Sequence, residues 1–102
     1  MKNFKVSSLE DALVVLEYAK EYDKQVSLAG GYDNETDGEE YAFYIQENFI
    51  SKVYEFFYGL EQITDESIFK ADIFTMTMWD YITDRINLEE LLVFFKEEEL
   101  IK

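Results

Sequence analysis

The sequence predicts an α+β domain in which a small antiparallel sheet of about three strands packs with three or more helices. Two stretches, at about 8–22 and about 47–60, carry apolar residues at the 3.6-residue spacing of amphipathic helices. Short runs of aromatic and β-branched residues lie between and after them, as is typical of strands. The length of 102 residues suits a single domain over 1–102.

The predicted helices are bounded by recognisable capping residues. The first begins in the segment 7–10, Ser-Ser-Leu-Glu, where a serine hydroxyl accepts from a first-turn amide and Glu10 reaches back in a capping box. The second ends near Gly59, a residue type that commonly closes helices. The last begins at Asn87, with Glu90 completing a second capping box.

The predicted strands are short runs of apolar and β-branched residues. They are Gln25–Ala29, Tyr41–Ile45 and Ile73–Trp79, with Lys2–Val6 as a candidate edge strand. In the third run, Phe74, Met76 and Met78 alternate with other residues, which predicts one shared face of a sheet. Just before it, Asp65–Asp72 is expected to form a short helical turn with Ile68 and Phe69 directed inward.

The charge balance is the strongest functional signal. Asp and Glu number 23 against 9 Lys and Arg, so the formal net charge is -14. Such a field repels nucleic acid and anionic membranes and attracts basic proteins or cations. Solubility of a small domain needs a net charge of only about 2–8 in magnitude. We therefore expect a basic protein partner, with neither nucleic acid nor a membrane as a direct one.

The composition excludes most catalytic chemistry. The chain has no Cys and no His, so it offers no disulfide, thiolate nucleophile or imidazole base. Its four glycines form neither a phosphate-binding loop nor a dinucleotide fingerprint, and Arg85 is the only arginine. We expect no enzyme activity, no catalytic residue, no metal and no cofactor. Residues 1–13 lack the apolar core of a signal peptide, which favours a cytoplasmic location.

The segment 32–40 is the candidate partner-binding site. It is predicted to be a loop, and its charged residues and glycine are Asp33, Glu35, Asp37, Gly38, Glu39 and Glu40. Alternate residues of an extended chain lie about 6.7 Å apart, so the carboxylates would be spaced much like the charges of a nucleic-acid backbone. The plain alternative is a solvated hairpin loop. The neighbouring Tyr32, Tyr41 and Tyr44 either contact the partner or pack on the sheet.

The same segment partly resembles a calcium-binding EF-hand loop. Asp33, Glu35 and Asp37 occupy its first, third and fifth positions, and Gly38 its sixth. The twelfth position is Tyr44 instead of the bidentate Glu, so we do not expect a dedicated calcium site.

The order of these features resembles the small acidic anti-CRISPR proteins that inhibit the RNA-guided nuclease of type II systems. The similar segments are 26–28, 37–41, 47–50, the acidic residues Glu61, Asp65 and Glu66, and 73–77. The resemblance implies a phage-encoded protein with a leading helix, a small antiparallel sheet and further helices. It also implies that the acidic residues occupy the nuclease groove that reads the protospacer-adjacent motif. Asp37, Gly38, Glu39 and Glu40 would take the loop role, and Asp65 and Glu66 the helix-face role.

The function predicted from the sequence is that of an acidic inhibitor, a DNA mimic that occupies the nucleic-acid-binding groove of a nuclease. One alternative is an immunity protein that neutralises a basic toxin, since the same charge complementarity applies. Another is a non-catalytic adaptor domain in which the acidity is incidental.

Overall fold

All regular secondary structure is helical in the part of the chain that the structure, a computed structural model, describes. The described residues are 5–28, 35–59 and 65–102, and for 35–39 and 65–68 only the backbone is described. The helices are α1 (Leu9–Leu28), α2 (Glu35–Ile45), a π-helical segment (Gln46–Ile50), α3 (Ser51–Tyr58), α4 (Asp65–Ile82) and α5 (Leu88–Glu97). Since these ranges contain no strand, the prediction of an α+β fold with a three-stranded sheet is wrong.

The chain divides into two compact units, Met1–Leu60 and Glu61–Lys102. In the first unit, α1 packs against the π-helical segment and α3. Its buried apolar side chains are Ala12, Val15, Leu16, Ala19, Ile45, Phe49, Ile50 and Val53. In the second unit, α4 packs against α5, and the buried side chains are Phe74, Met78, Tyr81, Ile82, Leu91 and Phe95.

The N-cap of α1 lies one residue later than predicted, and the helix ends beyond its predicted C-terminus. The Ser8 hydroxyl accepts from the Asp11 amide at 3.1 Å, so Ser8 is the cap. The carboxylate that reaches back belongs to Asp11 instead of Glu10, and it accepts from the Ser7 amide at 3.0 Å and the Ser7 hydroxyl at 2.9 Å. The helix continues through Leu28, so the strand at Gln25–Ala29 is wrong over its described residues, because no breaker precedes the glycines at 30 and 31. The edge strand at Lys2–Val6 lies largely outside the described residues, and Lys5 and Val6 have no regular structure.

The strand predicted at Tyr41–Ile45 is the last part of α2. Tyr41, Ile45 and Phe49 recur at intervals of four residues, and Ile45 and Phe49 are buried. Side chains at that interval share one face of a helix, which here is buried in the core of the first unit. Packing of this face therefore overrides the local preference of aromatic and β-branched residues for strands.

The helix predicted at about 47–60 is confirmed as the end of a continuous helical segment from Glu35 to Tyr58. Its π-helical part buries the adjacent Phe49 and Ile50, and α3 buries Val53. The helix ends as predicted at Gly59, which has a φ of 73° and donates its amide to the Glu55 carbonyl at 2.8 Å. That positive φ favours glycine over residues with a Cβ atom.

The strand predicted at Ile73–Trp79 is the centre of α4. Phe74 and Met78, four residues apart, are buried, whereas Met76 between them is 67% exposed. A strand would have placed all three on one face. The predicted short turn at Asp65–Asp72 is the beginning of this same long helix, and Phe69 points outward with 67% exposure. Its predicted inward orientation is therefore wrong.

Helix α5 begins and ends in well-formed caps. The predicted capping box is confirmed, since the Asn87 side chain accepts from the Glu90 amide at 2.9 Å and Glu90 accepts from the Asn87 amide at 3.1 Å. At the other end, the Leu100 amide donates to the Phe95 carbonyl at 2.8 Å and the Glu99 amide to the Lys96 carbonyl at 3.0 Å. This is a Schellman motif, with Glu99 at a φ of 59° where glycine is more usual.

The cap of α1 makes a pH-dependent prediction. The Ser7 amide, followed by the Ser7 hydroxyl, holds the pKa of Asp11 below its ordinary value of 3.8. Desolvation opposes this lowering of the pKa, and the Ser8 hydroxyl adds to it. A lowered pKa stabilises the folded state above the unfolded pKa, and this contribution is lost as the pH falls through the folded pKa. We expect Asp11→Asn to lower the free energy of unfolding at neutral pH, with the difference fading as the solution is acidified below about pH 4.

Urea denaturation across this pH range measures the effect. Glu10→Gln, at the neighbouring exposed carboxylate, is the matched control. An equal loss in both variants, or a loss from Asp11→Asn that does not change with pH, would contradict this account of the cap.

Candidate functional site

The acidic segment predicted to bind a partner is helical from Glu35 onward. Helix α2 contains Glu35, Asp37, Gly38, Glu39 and Glu40 in its first six positions, so the predicted extended loop is wrong there. Acidic residues in a first turn are stabilised by the positive end of the helix dipole, which favours this local structure. The Glu40 side chain is exposed. Asp33 and Tyr32 lie outside the described residues.

The helix also changes the comparison with an EF-hand loop. Glu35, at the third position of the supposed loop, is the first residue of α2. An EF-hand loop is coiled through these positions because several of them must point at one cation. Among the side chains that the structure describes, no group of three or more Asp or Glu could hold a metal ion.

The two acidic residues assigned to a helix face do lie on a helix. The backbone of Asp65 and Glu66 forms the beginning of α4 in the second unit. They stand four and three residues before Phe69, the first residue of α4 whose side chain is described. The structure thus places seven of the eight predicted site residues on two helices, five on α2 and two on α4.

A cluster of tyrosines packs α2 against α1. The Tyr22 ring stacks on Tyr44 with centroids 4.7 Å apart and on Tyr41 with centroids 5.8 Å apart. The Tyr41 hydroxyl donates a hydrogen bond to the carboxylate of Asp23. Phe49 meets Tyr44 edge-on at 5.9 Å. Tyr41 and Tyr44 were predicted to contact a partner or to pack on a sheet, and they pack on α1, where they orient the acidic helix.

Helix α4 has an exposed apolar face that the sequence interpretation missed. Phe69, Ile73 and Met76 are 67%, 36% and 67% exposed and stand four and three residues apart. That spacing puts them on one side of the helix, away from the buried Phe74 and Met78. A search of residues 69–82 for apolar side chains at the 3.6-residue helical period would have found both faces. The two-residue spacing of Phe74, Met76 and Met78 favoured a strand instead.

A groove of about 720 Å³ lies between α4 and α5 of the second unit. Its lining includes Thr77, Asp80, Ile86, Glu89, Val93 and Lys96. Asp80 forms an exposed ion pair with Arg85 at 3.7 Å, and Val93 is 51% exposed. Exposed ion pairs contribute little to stability, so Asp80 can exchange this partner for another cation at small cost.

Comparison of the chain with protein-family models, with curated proteins and with solved structures finds no match. The arrangement therefore has to be interpreted from its own chemistry. No helix in the described part of the chain is long and apolar enough to cross a membrane.

The tyrosine cluster makes a prediction about how α2 is held. Replacing Tyr41 by Phe keeps the ring but removes the hydroxyl that donates to Asp23, and a hydrogen bond to a charged group contributes about 1.5–3 kcal/mol. Because both groups are only partly buried, we expect the free energy of unfolding to fall by about 1 kcal/mol, near the mean for a single hydrogen bond.

The matched control is Tyr44→Phe, which keeps the ring that stacks on Tyr22. We expect it to change the free energy of unfolding by less than about 0.5 kcal/mol. Urea denaturation monitored by circular dichroism measures both. Equal effects of the two variants would show that the Tyr41–Asp23 hydrogen bond does not hold α2 in place.

Proposed function

We propose that this chain is a non-catalytic acidic inhibitor, a DNA mimic that occupies the nucleic-acid-binding groove of a basic protein. The observation that carries the proposal is the net charge of -14 on a chain that also forms ordered helices with apolar cores. Charge of one sign on a compact protein opposes folding through self-repulsion. A complementary basic surface would offset that cost, and proteins that bind nucleic acid present such a surface.

The helical form of the acidic segment is compatible with mimicry of a charged backbone. Residues four positions apart on a helix are separated by about 6 Å along its axis, close to the about 6.7 Å of the extended segment first expected. Glu35 and Glu39 have this spacing. A helix attached to α1 would present these positions with less loss of conformational entropy on binding than a mobile loop.

We propose a narrower class of partner than basic proteins in general. The resemblance to anti-CRISPR proteins points to a type II CRISPR nuclease, whose groove reads a short motif in duplex DNA with arginine side chains. The sheet that this resemblance implied is absent from the described residues. The nuclease is therefore proposed on the acidic segments and the charge, and the site of action would be the cytoplasm of the host cell.

We expect the protein to stop cleavage by a purified, guide-loaded type II nuclease at near-stoichiometric concentration, and to lose potency steeply as salt is raised. The variant Asp37→Asn, Glu39→Gln, Glu40→Gln should weaken inhibition by about tenfold or more, since three charges of the proposed contact are removed. Titration of cleavage at several salt concentrations measures both effects.

The matched control is Glu97→Gln, Glu98→Gln, Glu99→Gln, which removes the same charge from the end of α5. It should weaken inhibition much less than the α2 variant. Full inhibition by the α2 variant would remove the site assignment, and inhibition insensitive to salt would contradict a charge-based mechanism. If several CRISPR nucleases are unaffected and a basic toxin nuclease is inhibited, the immunity-protein alternative is the correct one.

A further inference from the structure

Helix α4 is apolar on two opposite sides. One side is buried in the second unit through Phe74 and Met78. The other consists of Phe69, Ile73 and Met76, and is here called the outer α4 face. A helix packed on one side of a soluble protein normally turns charged and polar residues outward. The outer α4 face departs from that pattern over two turns of helix, which marks it as a surface for a further contact.

Carboxylates border the outer α4 face. Asp72 and Asp80 lie on the same helix, at positions one residue before Ile73 and four residues after Met76. Both are accessible to solvent, Asp80 with 41% of its side chain exposed. Residues 61–102 contain eleven Asp and Glu against four Lys and Arg. The surroundings of this apolar surface are therefore strongly negative.

The groove between α4 and α5 is related to this face through Thr77 and Asp80, which stand one helical turn after Ile73 and Met76. Thr77 and Asp80 of α4 form one wall, and Glu89 and Val93 of α5 form another. Val93 adds a half-exposed apolar side chain, and Glu89 is exposed. An apolar groove with acidic edges fits side chains that carry an apolar stem and a cationic head, because the stem lies on the apolar surface while the head reaches the carboxylates.

We propose that the outer α4 face and this groove bind an amphipathic basic helix of the partner, with apolar residues at helical spacing and Lys or Arg on either side. Helix-in-groove recognition uses anchors at this spacing. A second copy of this chain is a poor occupant, because each copy has a net charge of -14. The proposal rests on the proposed function in one respect only: both require a basic partner.

A synthetic amphipathic peptide of Leu and Lys at heptad spacing, without tryptophan, is a suitable probe. Calorimetric titration gives its affinity, and emission from Trp79, the only tryptophan in the chain, reports binding near α4. We expect Phe69→Gln with Met76→Gln to weaken binding by about tenfold or more, as is typical when central apolar anchors are lost. Both residues are 67% exposed, so the variant should keep its circular dichroism spectrum.

The matched control is Val14→Gln with Leu28→Gln, which removes two exposed apolar side chains from α1, 49% and 87% exposed. It should bind the Leu/Lys peptide like the unmodified protein. A Leu/Gln peptide of the same spacing should bind at least about tenfold more weakly than the Leu/Lys peptide, because it lacks the charges that pair with the acidic border.

Three results would overturn the proposal. The unmodified protein could fail to bind the Leu/Lys peptide, the variant at Phe69 and Met76 could bind it as tightly as the control, or light scattering could show a dimer that the variant abolishes. The last result would make a second copy the occupant. The nuclease titration separates the two proposals: inhibition lost in the α2 charge variant but kept in the Phe69 and Met76 variant supports the proposed function and rejects this docking surface.

Discussion

The placement of apolar residues at the 3.6-residue period determines which side chains each unit buries. In the first unit, Ile45, Phe49 and Val53 recur every four residues along a continuous helical segment and pack with α1. In the second, Phe74 and Met78 do the same on α4. Burial of such side chains contributes about 1.5–3 kcal/mol each, which outweighs the modest strand preference of the same residues. Which helix faces are buried and which stay exposed follows from this constraint.

Negative charge is the second constraint, and it acts at the surface. No polar or charged side chain is buried among the described residues, so the carboxylates are distributed over the outside of the helices. Some have structural roles, as Asp11 and Glu90 do in the caps of α1 and α5. Asp23 also accepts from the Tyr41 hydroxyl, and Asp80 pairs with Arg85. With 23 acidic residues against 9 basic ones, the acidic residues far outnumber the cations that could pair with them. The proposed basic partner would give this excess a physical role, and the outer α4 face would offer the same partner an apolar anchor.

The sequence was sufficient for features that depend on a few neighbouring residues. The capping box at Asn87, the helix end at Gly59 and three amphipathic helices were predicted because their signals are local or strongly periodic. The strands predicted at Gln25–Ala29, Tyr41–Ile45 and Ile73–Trp79 were wrong over their described residues. A run of five to seven residues with interspersed apolar side chains fits either period, and only the face on which it packs decides between them. At Tyr41–Ile45 that face is α1, which is distant in sequence.

The acidic residues of the candidate site can be recognised in the sequence, but their helical conformation was not predicted from it. Their helical backbone from Glu35 onward depends on the tyrosines that pack α2 on α1. The outer α4 face was hidden by the pair Phe74 and Met76, which a strand would place together and a helix separates. Recognition of that face required knowing which residues of α4 are already buried against α5.

The two methionines of α4 test this account most directly. Protein labelled with ¹³C at the methionine methyl groups can be titrated with a soluble gadolinium chelate, which relaxes only methyl groups that the solvent reaches. We expect strong relaxation at Met76, which is 67% exposed, and protection at Met78, which is fully buried. Equal protection of both methyl groups would mean that they share one buried face, as in a strand. It would contradict both the helical core and the exposure of the outer α4 face.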